Sequence, residues 1–150
     1  MDCIFCKIVR GEVPSHKIWE DENHLAFLSI FPNTEGFSVV IPKKHYGSYL
    51  FDLPEEVYCD LMKATKMVGK ILDAKLDDVG RTGLIAEGFG VDHAHTKLFP
   101  MHGTRDMSTW RPIESRQNIY FEKYEGYISS HDSNRADDTK LSELTKKIRS

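Results

Sequence analysis

Two imidazoles and an ammonium stand at alternate positions in His93-Ala94-His95-Thr96-Lys97. In an extended chain the side-chain period is two, so His93, His95 and Lys97 share one face while Ala94, Thr96 and Leu98 take the other. An imidazole, with an unperturbed pKa near ~6.5, is mostly neutral at pH 7 and keeps a ring lone pair that can attack an electrophile or bind a metal. Lys97 adds a compact cation to the same wall. A second group with chemical capacity is Cys3-Ile4-Phe5-Cys6. A lone C-x-x-C fits buried thiols, a redox pair or metal ligands; the redox reading wants a preceding strand, which residue 3 cannot have.

The elements that must position these groups follow from periodicity. Phe5 to Arg10 reads as one helical turn closed by Gly11. Lys17 to Glu20, His24 to Ile30 and Phe37 to Ile41 read as strands, the last β-branched, separated by Asp21-Glu22-Asn23 and by Pro32-Asn33-Thr34-Glu35-Gly36. Connections this short favour antiparallel pairing. Asp52-Leu53-Pro54-Glu55 resembles a capping box, and Val57, Leu61, Ala64, Val68 and Ile71 then mark one face of a helix ending near Lys75. Thr82 to Ala86 is a fourth strand, and Gly88-Phe89-Gly90 leads into a fifth that carries the histidines and is expected to stop at Pro100. Beyond Gly103 come Trp110-Arg111-Pro112, an aromatic run from Tyr120 to Tyr127, and a short helix begun by Asp137 or Asp138 with Leu141, Leu144 and Ile148 inward.

Composition bounds the possibilities. A chain of 150 residues, 40% hydrophobic, suits one core and so a single domain. A net charge of −3 without a long basic run speaks against a nucleic-acid polymer as partner but leaves single nucleotides open. No stretch approaches ~20 apolar residues, so no membrane partner is expected. Three cysteines, an odd number, suit a reducing compartment, and a cytoplasmic location is expected.

The run from His93 to Phe99 resembles the His-x-His-x-His motif of the histidine-triad (HIT) family of nucleotide hydrolases and transferases, with Lys97 in the third place. Gly11-Glu12-Val13-Pro14, Ala26-Phe27, and Gly36 leading to Val39-Val40-Ile41-Pro42-Lys43-Lys44-His45 stand in the order of that family's landmarks, as does the Cys3 to Ile8 segment. The resemblance spans roughly residues 3 to 103, leaving a C-terminal extension of about 104 to 150. It implies an α+β fold: a five-stranded antiparallel sheet, one long helix and a short N-terminal helical turn.

For the site, the resemblance implies that His95 is the nucleophile, attacking the α-phosphorus of a nucleotide derivative without a catalytic metal. A nucleotidyl-histidine forms and water releases the monophosphate, which splits one hard displacement into two easier ones. Substrates implied are nucleoside phosphoramidates, adenylates and dinucleoside polyphosphates. Lys97 can supply charge at the phosphate but is a poor proton shuttle near pH 7, and His102 is a candidate stand-in for the missing imidazole. Phe27, Ser29, Ile30, Lys97 and His102 are the implied nucleotide contacts; Ser29 stands where the family usually has Asp, and Ala86 or Glu87 where Asn often sits. Cys3, Cys6, His45 and His93 are the implied ligands of a closed, structural Cys₂His₂ zinc site. A homodimer is expected, to which the aromatic run would contribute. Two other readings stay open: a nucleotide-binding or scaffold protein with little turnover, and a zinc hydrolase using His93 and His95 as ligands.

Overall fold

The computed structural model describes residues 3–108, 110 and 135–150. In chain order the elements are α1 (Ile4–Val9), β1 (His16–Glu20), β2 (His24–Leu28), β3 (Ser38–Pro42), α2 (Glu55–Lys75), β4 (Val79–Ile85), β5 (Thr96–His102) and α3 (Asp138–Arg149). The strands make one sheet of order β1-β2-β3-β5-β4, every neighbour antiparallel. This is the α+β architecture expected, with the long helix, the N-terminal turn and a C-terminal helix all present.

Both faces of the sheet are covered, and the alternation along each strand says by what. Ala26, Leu28, Val40 and Leu98 join Leu61, Ala64, Val68 and Leu72 of α2 in one buried cluster, which also takes in Leu141 and Ile148 of α3. Leu25, Phe27, Val39 and Ile41 face the other way with Phe37, and Phe5, Ile8 and Val9 of α1 pack against them. β2 and β3 are therefore buried along their whole lengths. Gly36 makes the turn before β3 at φ +85, and a Cβ there would lie 2.9 Å from Leu76 Cδ1 and 3.0 Å from Pro100 Cγ. The chain needs glycine at that point for both reasons.

Four expectations need correction. The ladder of β5 begins at Thr96, after both histidines: His93 lies in a bend, its N–H donating to Val91 C=O at 2.9 Å, and Ala94 N–H donates to Tyr46 C=O at 2.9 Å. The predicted alternation survives: Ala94 and Leu98 enter the α2 cluster, while His95 and Lys97 face away from it. Pro100 does not end the strand, which runs on to His102. Its pairing with β3 stops at Leu98, so Pro100 sits where β5 has a partner on one side only and a missing N–H is tolerated. The capping box does not form, because Leu50–Asp52 is a separate 3₁₀ turn and the residue before α2 is Pro54. β4 begins at Val79, three residues earlier than its β-rich stretch indicated.

At α3 the N-cap is Asp137, whose carboxylate accepts from Lys140 N–H at 3.0 Å. Arg111, Pro112 and the aromatic run lie outside the described residues; Trp110 is exposed with the Arg81 guanidinium over its ring. Among the described residues no helix is long and apolar enough to cross a membrane.

Candidate active site and metal centre

Where β5 approaches the sheet, buried polar groups replace the apolar core. His93 and His95 are buried, and His95 Nδ1 lies 2.7 Å from the carbonyl oxygen of His93. A carbonyl can only accept, so Nδ1 carries the proton and Nε2 keeps its lone pair. Burial pushes the imidazole of His95 below its ordinary pKa, with the Lys97 charge adding to the effect and the bond to His93 and the charge of Glu87 opposing it. His95 is thus a neutral base of fixed tautomer at pH 7.

His95 lines a cavity of about 300 Å³ whose walls are mostly apolar. Phe27, Leu28, Ser29, Ile30 and Phe31 come from β2 and the chain after it, Ile4, Phe5 and Ile8 from α1, Val39 from β3, and Lys97 from β5. Phe5 stands edge-on to His95, with ring centroids 5.6 Å apart, and edge-on to Phe27 at 5.4 Å. Ser29 Oγ accepts from Phe31 N–H at 3.1 Å, which shapes the bend leaving β2. Of the expected nucleotide contacts, Phe27, Ser29, Ile30 and Lys97 share this cavity. His102 does not: it lies at the far end of β5, between the Asp78 carboxylate at 2.8 Å and Glu35 C=O at 2.9 Å. Both of its ring nitrogens face acceptors, and its pKa is raised accordingly.

Lys97 Nζ is 2.5 Å from Glu87 Oε1, and both side chains are only 13% exposed. Glu87 Oε2 is buried without a hydrogen-bond partner. Gly88, at φ +75, carries the chain so close to Ser48 that a Cβ would sit 2.9 Å from its carbonyl oxygen, and this passage brings Glu87 to Lys97. The sequence marked Glu87 only as an alternative at one landmark; its signal was an acid beside a Gly-x-Gly turn, ten residues from a lysine on the face of the histidines.

The four expected metal ligands converge. Cys3 Sγ is 3.5 Å and Cys6 Sγ 3.6 Å from His93 Nδ1, Cys6 Sγ is 3.5 Å from His45 Nδ1, and all four donor atoms lie within 4.8 Å of one another. A tetrahedral zinc with Zn–S near ~2.3 Å and Zn–N near ~2.0–2.1 Å puts adjacent N and S corners about 3.6 Å apart, which these three separations match. The outer shell fits as well: His93 Nε2–H donates to Pro42 C=O at 2.8 Å, leaving Nδ1 as the ligand atom. Burial and the neighbouring Cys3 raise the Cys6 thiol, a cost that a divalent cation offsets. His95 is not among the donors that converge with His93, whose Nδ1 faces Cys3 and Cys6.

A profile of the HIT domain matches residues 10–104. An uncharacterized HIT-like protein of Methanocaldococcus jannaschii is 38% identical over 104 residues, 67% of this chain and 79% of that one. An adenosine 5′-monophosphoramidase of Saccharomyces cerevisiae is 43% identical over 101 residues, 65% of this chain and 61% of its own length, so this chain matches somewhat less than two thirds of that relative. A crystal structure of a zinc-bound histidine triad family protein from Mycobacterium smegmatis superposes with a TM-score of 0.70 at 25% identity, covering 99% of this chain and 91% of that one.

Proposed function

This chain belongs to the histidine-triad (HIT) family, and from that premise we propose that it hydrolyses nucleoside 5′-phosphoramidates or related α-phosphoryl derivatives through a covalent intermediate on His95. The observation that carries the reading is the pairing of a neutral His95, Nδ1–H committed to the His93 carbonyl, with an apolar cavity of nucleobase size and one cation at its wall. Nε2 of His95 attacks the α-phosphorus, the bond from phosphorus to the leaving amine breaks, and the amine takes a proton from solvent as it departs, which the attacking water of the second step returns. Water then displaces His95 from phosphorus, giving the monophosphate and the free imidazole. Lys97 stabilises charge on the phosphoryl oxygens in both steps. Phe27, Ile30 and Phe5 hold the base by apolar contact, and Ser29 is the group at hand for a sugar hydroxyl.

Cys3, Cys6, His45 and His93 would hold a structural zinc, closed to substrate, which when bound cross-links the N-terminus to the ends of β3 and of the histidine segment. A homodimer is part of the same reading. The test of function is steady-state hydrolysis of adenosine 5′-phosphoramidate with rapid-quench trapping. We expect an adenylyl adduct on His95, and for His95→Ala no turnover but retained binding of AMP. A nucleotide-binding protein without turnover would show the binding and no adduct in either form; an adduct elsewhere, or undiminished turnover in His95→Ala, removes the mechanism.

A further inference from the structure

The Lys97–Glu87 pair has an electrostatic consequence for what the cavity admits. Among the described residues that line the cavity, Lys97 alone carries a formal charge, and Glu87 sits directly on it. An ordinary phosphate-binding lysine offers its full positive charge to the ligand. Here the wall facing the phosphoryl group is close to neutral. Lys97 is not free to leave Glu87 either, because it donates to Oε1 while Oε2 has no donor at all, so losing the ammonium would strand a buried anion.

We propose that Glu87 is a specificity-determining residue that, through Lys97, selects a singly charged, substituted nucleoside 5′-phosphoryl group over the doubly charged monophosphate. This rests on the function proposed above and narrows its substrate class. A phosphoramidate, phosphodiester or anhydride carries one negative charge on the α-phosphoryl and can share Lys97 with Glu87. An unsubstituted monophosphate at neutral pH carries nearly two, its second pKa being about 6, and adds a second like charge next to Glu87. The substrate is admitted and the product, once its substituent is replaced by water, is repelled. Lys97 places the charge at phosphorus, and Glu87 keeps that charge from holding the product. A merely structural counter-ion would fill space and satisfy Lys97 without affecting the preference between ligands that differ by one charge.

The test is a binding comparison with the whole chain at pH 8, titrating AMP and its 5′-methyl phosphodiester by calorimetry against wild type, Glu87→Gln and Glu87→Asp. Wild type should bind the methyl ester more tightly than AMP. Glu87→Gln should shift the ratio toward AMP by at least about tenfold, since one unit charge acting across several ångströms near a protein surface is worth more than a factor of ten. Glu87→Asp keeps the charge and should keep the wild-type preference. If both ligands bind wild type and AMP is preferred, or the ratio is unchanged in Glu87→Gln, this inference fails and the proposed function stands. If neither ligand binds wild type, the nucleotide reading fails and takes this inference with it. Should Glu87→Gln not fold, the wild-type preference decides alone.

Discussion

At the scale of the residue, the reactivity proposed for His95 depends on a contest between burial and charge. Burial and Lys97 lower its pKa, while the His93 carbonyl and Glu87 raise it, and lowering wins. An unperturbed imidazole of pKa near ~6.5 is about three-quarters protonated at pH 6, whereas His95 stays neutral to lower pH. If the neutral ring is the nucleophile, kcat/KM for adenosine 5′-phosphoramidate should therefore hold between pH 7 and 6, its acid limb falling below the ordinary histidine range. Lys97→Met removes a group that lowers the pKa and keeps Glu87, which raises it, so the limb should move to higher pH. The same variant should lose about 1.5–3 kcal/mol of transition-state stabilisation with the charged hydrogen bond. A limb at or above pH 6.5 in wild type would show that another group sets the profile. Residue types and spacing made the shared face of His95 and Lys97 legible, because alternation decides the face, while the convergence of Cys3, Cys6, His45 and His93 was legible only through the family resemblance. They could not place His102, since seven residues beyond His95 along the strand carry it to the far end of β5. Nor did they reveal the Lys97–Glu87 pair, which depends on the close passage of Gly88 past Ser48.

At the scale of the element, strand existence was readable from apolar runs and strand ends were not. β2 and β3 are buried on both faces and show up as unbroken apolar stretches, whereas β4 begins in Val79-Gly80-Arg81, whose composition does not suggest a strand. Tertiary pairing supplies what composition lacks there: Thr104 Oγ1 accepts from Gly80 N–H and Arg81 N–H. The two outer strands also differ in a way no periodicity could show. β1 is approached by α3, whose Arg149 donates to Lys17 C=O, while no described strand pairs with the outer edge of β4 and Leu84 is 44% exposed. An uncovered edge is where a second sheet adds, so the proposed homodimer belongs on β4. Light scattering at micromolar concentration should return about twice the 17.2 kDa of one chain, and Leu84→Lys should lower that mass toward the monomer. A monomer mass for the wild-type chain would count against a stable dimer.

At the scale of the whole molecule, the proposed metal centre and the proposed nucleophile are parts of one construction. His93 belongs to both: Nδ1 faces the cysteines, Nε2–H is fixed to Pro42, and its carbonyl fixes the tautomer of His95. Phe5, between Cys3 and Cys6 in sequence, packs edge-on against His93 and His95 from the same helix. Zinc bound at Cys3, Cys6, His45 and His93 would thus hold α1 against the sheet and the nucleophile in register, without touching substrate. Purified protein should contain about one equivalent of zinc, and Cys3→Ser with Cys6→Ser should remove it. A ligand held a thousandfold above its Kd stabilises by about 4 kcal/mol, which in a chain of this length corresponds to roughly 10 °C in Tm. The double variant should melt lower by about that much. Its His95 ring resonances should also lose the single Nδ1–H tautomer as the His93 carbonyl drifts, a change that loss of stability alone would not produce below Tm. Protein prepared without chelator that contains no zinc would remove the metal centre from the structure's design and leave the four converging donors without a purpose.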